Sequence, residues 1–161
     1  MKDNVYTVHP IGVIKANTEG FQLHINPPFR NALKELDGFS HIHVLFWCHR
    51  VDKDNLRQMT ECQKPYRKGP ERVGIFATRS PSRPNPIGLT PVMVINIDHQ
   101  AGIIETPFID AEKDTPIIDL KPYIPSLDRV RDISSPAWCS HWPQWYEDSA
   151  EFDWASEFLF V

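Results

Sequence analysis

The sequence predicts a mainly β fold, a single small β-barrel with short helices and an aromatic C-terminal tail. Short apolar stretches rich in β-branched residues recur between turn residues, which is typical of strands. Fifteen prolines against seven glycines indicate many fixed turns and disfavour long helices. No strand alternates with a long helix and no G-x-G-x-x-G follows a strand, so a doubly wound dinucleotide-binding sheet is not indicated. A closed or nearly closed barrel is the simplest all-β solution for 161 residues.

Each predicted element rests on a local pattern. Pro10 suits an edge or bulged strand, and Pro27 with Pro28 forces an extended turn before FRNALKEL, a short helix in which Leu33 and Leu36 share a face. The apolar run HIHVLFWC predicts a central strand covered on both faces, and the polar stretch 51–69 predicts a long surface excursion. The predicted strands are Tyr6–Ile14, Phe21–Ile25, His41–Cys48, Gly74–Thr78, Leu89–Asp98, Gly102–Thr106 and Pro116–Leu120.

The C-terminal tail is rich in aromatic residues, which favours a packed segment. Trp154 and Phe158 would share one face of a helix capped by Asp148 or Ser149. We expect a barrel domain over residues 1–130 and a Trp-rich extension over 131–161 that packs on the barrel or at a dimer interface. The large aromatic residues of the tail are Trp138, Trp142, Trp145, Tyr146, Phe152, Trp154, Phe158 and Phe160.

Charge and composition limit the classes of function. A formal net charge of −4 gives no overall attraction for nucleic acid, although one basic patch is present. Three cysteines at wide spacing, without a CxxC pair, indicate neither a disulfide framework nor a zinc site. No stretch approaches the roughly 18 apolar residues of a membrane span and no leader is recognised, so we expect a cytoplasmic protein. The patch consists of Lys64, Arg67, Lys68, Arg72, Arg79 and Arg83.

The histidines do not predict a metal site. His41 and His43 share a strand face, and His49 follows them. In an extended strand His49 would lie roughly 25 Å from His41, at about 3.3 Å per residue. That distance is too long for one shared metal ion, so no metal is expected.

The stretch Val73–Leu89, VGIFATRSPSRPNPIGL, is predicted to be a ligand-binding loop. Its three prolines stiffen the backbone, and rigid loops hold polar groups ready for a ligand. Arg79 and Arg83 suit an anionic group such as a carboxylate or phosphate, because guanidinium can bind it through two parallel hydrogen bonds. The alternative is a structural turn whose arginines tie down backbone carbonyls.

A second candidate cluster lies in the segment DLKPY. Asp119, Lys121 and Tyr123 alternate along a strand, so they would project to one face and line a single site. The alternative is a solvated strand face that holds a salt bridge.

These stretches resemble one family closely. The segment VGIFATRSPSRPNPIGL resembles the signature of the TsaA-like proteins, also known as the tRNA methyltransferase O family. Three further blocks follow the family order: IGVI near the N-terminus, GFSHIHVLFWCHR at 38–50 and DTPIIDLKPYIP at 114–125. The resemblance extends over about residues 10–125.

The resemblance implies a non-Rossmann β-barrel methyltransferase that binds S-adenosylmethionine and acts as a homodimer. In bacterial members the acceptor is N6 of threonylcarbamoyl-adenosine in the tRNA anticodon loop. We expect Arg79 to hold the cofactor carboxylate, Asp110 to accept from ribose hydroxyls and apolar side chains to enclose adenine. The implied cofactor contacts are His49, Arg50, Val51, Arg79, Leu89, Pro107, Phe108, Ile109 and Asp110.

Methyl transfer to nitrogen requires an aligned acceptor, a dry site and removal of one proton. We assign Arg83 and Lys121 as substrate or phosphate contacts, and Asp119 and Tyr123 as residues that handle or orient the proton.

The sequence departs from the family at three places. The segment 15–20 is much shorter than the Arg-, Gln-, Pro- and Gly-rich segment of bacterial members, and Asp114 stands in the glycine position of an Asp-Gly-Thr-Pro motif. The Trp-rich tail replaces the bacterial C-terminal domain. These departures leave a small-molecule acceptor, or a cofactor-binding module without catalysis, as alternatives to tRNA methylation.

Overall fold

The computed structural model describes residues 5–18 and 20–159. The chain forms two compact units, each made of two separate segments. The first comprises Met1–Lys53 and Asn85–Arg129, and the second comprises Asp54–Pro84 and Val130–Val161. The predicted surface excursion therefore groups with the Trp-rich tail.

Short elements dominate the described residues. The strands are β1 Gly12–Ala16, β2 Phe21–Ile25, β3 His41–Trp47, β4 Glu61–Gln63, β5 Arg72–Gly74, β6 Ile87–Met93, β7 Asn96–Asp98, β8 Ile103–Thr106 and β9 Pro116–Pro122. The α-helices are α1 Asp54–Arg57, α2 Pro125–Asp128 and α3 Trp154–Glu157. The 3-10 helices are Pro27–Leu33, Leu36–Gly38, His49–Val51, Ile75–Ala77, Ala137–Cys139 and Glu147–Glu151.

The first unit is organised by an antiparallel sheet of seven strands in the order β6-β3-β9-β1-β2-β8-β7. β3 is an interior strand of seven residues and pairs with β6 on one side and β9 on the other. Ile42, Val44 and Phe46 alternate into the core, while the residues between them are half-buried on the other face. The core of this unit is Ile14, Leu23, Ile25, Leu33, Ile42, Val44, Phe46, Val92, Ile104, Ile109 and Ile117.

The two edge strands of this sheet, β6 and β7, follow one another in the chain and are joined by a short connection. Val94 N donates to Ser40 O at 2.9 Å, and Ile95 N donates to Glu105 O at 2.8 Å, so the chain passes from the β3 side to the β8 side within two residues. A flat sheet of seven strands would hold its edges about 29 Å apart at about 4.8 Å per strand. The three steps from Met93 to Asn96 reach only about 11 Å. The sheet is therefore strongly curled.

The prediction of a closed barrel is wrong, because β6 and β7 do not pair with each other in the described residues. The predicted strand Leu89–Asp98 divides at 94–95, and its two parts bond to different neighbours. The broader prediction, a mainly β fold with short helices, is confirmed.

Other element boundaries also differ from the predictions. The first strand starts at Gly12, after Pro10, and the predicted helix at 29–36 is a 3-10 helix over Pro27–Leu33. The predicted strand Gly74–Thr78 is replaced by β5 and a 3-10 turn.

The second unit contains the β4–β5 ladder and an aromatic cluster. The Tyr66 ring stacks on Trp138 with centroids 5.1 Å apart, and Trp154 stacks on Phe158 at 5.4 Å. The predicted face shared by Trp154 and Phe158 thus exists, but the helix begins later than expected and is capped by Asp153, whose side chain accepts from Ser156 N. The tail packs with residues 65–66, since Leu159 N donates to Pro65 O at 3.0 Å.

Within the described ranges, no helix has the length and apolar character needed to cross a membrane.

Gly88 provides a test of the β3–β6 packing. It stands opposite Phe46, and a Cβ added at Gly88 would clash with the buried Phe46 ring. We expect Gly88→Ala to lower the free energy of unfolding by about 1–3 kcal/mol, because the close-packed core must shift. Gly38→Ala is the matched control, since an added Cβ there meets no atom within 4 Å. Denaturant unfolding of both variants makes the comparison, and equal stabilities would refute this packing.

Candidate functional site

The DLKPY side chains lie on the outer face of the first unit's sheet. Lys121 stands opposite His43 and Asp119 opposite Leu45 in the β3–β9 register. Directly paired residues share a sheet face, and the alternating residues of β3 point into the core. Tyr123 continues this face, with its ring centroid 5.3 Å from that of His43. The structure thus brings the three sequence-predicted residues together.

Asp119 and Lys121 form an ion pair within this cluster. Lys121 Nζ lies 2.8 Å from Asp119 Oδ2, and Leu120 N donates to Asp119 Oδ1 at 2.9 Å. The hydrogen bond to Asp119 raises the pKa of Lys121 above its ordinary value. Lys121 is therefore a cation at neutral pH and suits an anion contact rather than a base.

His43 is a residue of this face that the sequence did not assign to the site. Its Nε2 lies 3.1 Å from Asp128 Oδ1, and Asp128 Oδ2 accepts from Ile124 N at 2.7 Å. Its Nδ1 is buried and has no hydrogen-bond partner among the described residues. Alternation along the strand puts His43 on the same face as His41, but it does not show which residue faces them. The pairing of β3 with β9 brings the His43 ring against Tyr123.

Leu89 connects this cluster to the predicted cofactor contacts. Leu45 pairs with Leu89 of β6 on one side and with Asp119 of β9 on the other. Leu89 and Asp119 therefore lie on one face of the sheet, separated by two strand spacings or about 10 Å. Leu89 is 43% exposed, which leaves an apolar surface beside the charged pair.

The turn 49–51 is linked to the chain that follows the segment 107–110. His49–Val51 forms a single 3-10 turn shortly after β3, and the Pro107–Asp110 loop directly follows β8. The Arg50 guanidinium forms an ion pair with the carboxylate of Glu112, two residues beyond Asp110. This ion pair links the first predicted contact segment to the chain just beyond the second.

The 107–110 loop has one exposed and one buried apolar residue. Phe108 is 55% exposed and packs its edge against Phe21, with ring centroids 6.2 Å apart. Ile109 is only 1% exposed and belongs to the core. Thr106 Oγ1 donates to Phe108 O at 3.1 Å and fixes the turn. Ile109 as a whole therefore has almost no accessible surface and supports the loop from within the core.

The loop 73–84 of the second unit is held by hydrogen bonds within itself. Arg83 Nη1 donates to Thr78 O at 3.2 Å and to Ser80 O at 3.5 Å. Its guanidinium carbon lies 5.9 Å from the Phe76 ring centroid. These contacts match the alternative in which arginine ties down backbone carbonyls, and Arg83 is correspondingly half-buried, whereas Arg79 is exposed.

No cluster of three His, Cys, Asp or Glu side chains suited to a metal ion occurs in the parts of the chain that the structure describes.

The family is established by comparison with known proteins. The family model described as the tRNA-methyltransferase O N-terminal domain matches residues 8–129. The chain belongs to this family. The tRNA-methyltransferase O match covers the segments 38–50, 73–89 and 114–125 that carried the sequence resemblance, and so confirms it.

Individual members of the tRNA-methyltransferase O family resemble the chain to different extents. A probable S-adenosyl-L-methionine-binding protein of Methanothermobacter thermautotrophicus is 31% identical over 81% of this chain and 98% of its own length. The tRNA (adenine(37)-N6)-methyltransferase of Escherichia coli is 34% identical over 77% of this chain and 53% of its own length. The crystal structure of TrmO from Pseudomonas aeruginosa has a TM-score of 0.61 at 29% identity, covering 81% of this chain and 62% of that one. The chain thus spans a little over half of the named methyltransferases.

Asp114 stands at the position where the sequence resemblance implies a glycine. Its backbone has φ of 67°, the left-handed region that favours glycine. Lys15 Nζ donates to Asp114 Oδ1 at 2.6 Å, and this bond holds the pKa of the Asp114 carboxyl below its ordinary value. The side chain therefore adds an ion pair that glycine cannot form.

The Lys15–Asp114 pair predicts a dependence of stability on pH. A depressed folded-state pKa contributes stability above the unfolded value of about 3.9, and the contribution is lost as pH falls through the folded value. We expect Lys15→Gln to be less stable than wild type at pH 7, and the difference to shrink as the pH falls below the ordinary aspartate pKa of about 3.9. Denaturant unfolding across this range measures it, with Lys53→Gln as control. A difference that does not change with pH would contradict the assignment.

Proposed function

We propose that this chain is an S-adenosylmethionine-dependent methyltransferase that modifies tRNA at N6 of adenosine 37 carrying a threonylcarbamoyl group. The observation that carries the proposal is the match of residues 8–129 to the tRNA-methyltransferase O N-terminal domain. The E. coli relative is named a tRNA (adenine(37)-N6)-methyltransferase.

The residues of the first unit fit a cofactor that is partly apolar and partly hydroxylated. Exposed apolar surface on Leu89 and Phe108 suits adenine, and the exposed Asp110 carboxylate suits ribose hydroxyls. We assign His49, Arg50 and Val51 of the turn after β3, and Pro107 and Ile109 of the loop after β8, to the same cofactor site. We assign Arg79 of the second unit to the cofactor carboxylate. When bound, S-adenosylmethionine supplies an electrophilic methyl group.

The outer-face cluster would serve the acceptor. Lys121 offers a cation to a phosphate or carboxylate of the substrate, and we assign Arg83 to the same kind of substrate or phosphate contact. Asp119 can accept the proton that the acceptor nitrogen loses, while the Tyr123 phenol orients the acceptor. His43, which is paired with Asp128, packs its ring against that of Tyr123.

We also propose a cytoplasmic homodimer. Exposed apolar side chains on the edge strand β6 support it, because apolar surface on an edge strand can mark an association surface. These side chains are Ile87 and Met93. We propose further that residues 1–130 form the family domain and that residues 131–161 form a tail appended to it.

A second candidate is binding of S-adenosylmethionine with a small acceptor or with no transfer. The relative that this chain spans over 98% of its length is named only as a probable S-adenosyl-L-methionine-binding protein. The net charge of −4 favours a small acceptor over a polyanion.

Label transfer decides between these candidates. The protein is incubated with methyl-labelled S-adenosylmethionine and a cell extract that is then separated into tRNA and small molecules. We expect the label in tRNA. Arg79→Ala should lose both transfer and, by calorimetry, about 10- to 150-fold in cofactor affinity, since it removes a charged hydrogen-bond partner. Arg131→Ala, an exposed arginine outside the basic patch, should keep both.

Other outcomes are equally informative. Label in the small-molecule fraction supports the alternative acceptor, and binding without any transfer supports a binding module. Unchanged cofactor affinity in Arg79→Ala would refute the role of that arginine.

A further inference from the structure

The loop 73–84 carries one aromatic side chain, Phe76, which is 79% exposed. It lies in the 3-10 turn Ile75–Ala77, and the residues that anchor this turn, Ile75 and Thr78, are both buried. Thr78 Oγ1 donates to Ile75 O at 2.8 Å. Burial of the anchors leaves the Phe76 ring directed to solvent from a backbone held at both ends of the turn.

The Arg83 guanidinium lies over one face of the Phe76 ring. Its guanidinium carbon lies 5.9 Å from the ring centroid while the same group bonds to Thr78 O and Ser80 O. The arginine is therefore positioned by the loop and not by the ring. A ring with a cation over one face and high exposure has its other face available for stacking.

The charge around Phe76 favours an anionic partner. Segment 54–84 contains seven Lys and Arg against three Asp and Glu, a net charge of +4, in a chain whose total is −4. The tail 130–161 of the same unit contains one Arg against six Asp and Glu, a net charge of −5. Its exposed Trp145, 64% exposed, is followed by Glu147 and Asp148. Of these two exposed aromatic residues, Phe76 alone lies in a basic segment.

We propose that Phe76, backed by Arg83, is a stacking platform for one unpaired base of the RNA substrate. Aromatic side chains bind unpaired bases through their faces, and neighbouring arginine and lysine residues bind the phosphates. A single ring takes a single base, so the platform reads an unpaired loop and not a duplex. This inference rests on the proposed function, because it takes RNA as the substrate.

Binding of a fluorescent anticodon stem-loop RNA tests the platform. We expect Phe76→Ala to weaken binding about 5- to 150-fold, the loss measured for one stacked base, while Phe76→Trp retains it. Trp145→Ala, the matched control in the acidic tail, should bind as wild type does. A blunt RNA duplex should bind Phe76→Ala and wild type equally. Free adenosine monophosphate should compete poorly, because it lacks the neighbouring phosphates.

Each contrary result has a distinct meaning. Equal stem-loop affinity of wild type and Phe76→Ala overturns the platform. So does a loss of cofactor affinity in Phe76→Ala, which would make Phe76 a cofactor contact, or a change of oligomeric state by sedimentation, which would make it a subunit contact. If tRNA receives no methyl group but stem-loop binding still depends on Phe76, the proposed function fails and the platform stands.

Discussion

The pairing of β3 with strands on both sides is the constraint on which the first unit depends. One face of β3 supplies Ile42, Val44 and Phe46 to the core, and the other carries His43 and Leu45 beside the candidate site. Because side chains alternate with a period of two, a slip of one residue would exchange these faces. The need to bury the apolar residues of β3 in the core thereby determines which polar residues lie together on the outer face of the sheet.

The same constraint joins the two groups of site residues. Leu45 contacts both flanking strands in register, so Leu89 and Asp119 are held at a distance that the sheet spacing determines. The turn 49–51 begins where β3 ends, and its Arg50–Glu112 pair ties it to the loop after β8. Residues distant in sequence are thus positioned by one strand and its neighbours.

The sequence predicted most of this arrangement, and the failures have physical causes. Alternation predicted the shared face of Asp119, Lys121 and Tyr123, and the apolar run predicted β3. The break at 94–95 could not be read from the sequence, because Val94 and Ile95 suit a strand locally and only their partners, Ser40 and Glu105, divide them. His43 was missed as a site residue for the same reason, since its contact with Tyr123 is a property of strand register.

Native-state amide hydrogen exchange tests the central role of β3 most directly. Interior strands of a packed sheet open only with the whole unit, whereas short two-stranded ladders open locally. The amides of His41–Trp47 that bond to β6 and β9 should exchange at the slowest rates of the protein, slower than those of the β4–β5 ladder. If the β3 amides exchange as fast as those of β4 and β5, the account of β3 as the organising strand is contradicted.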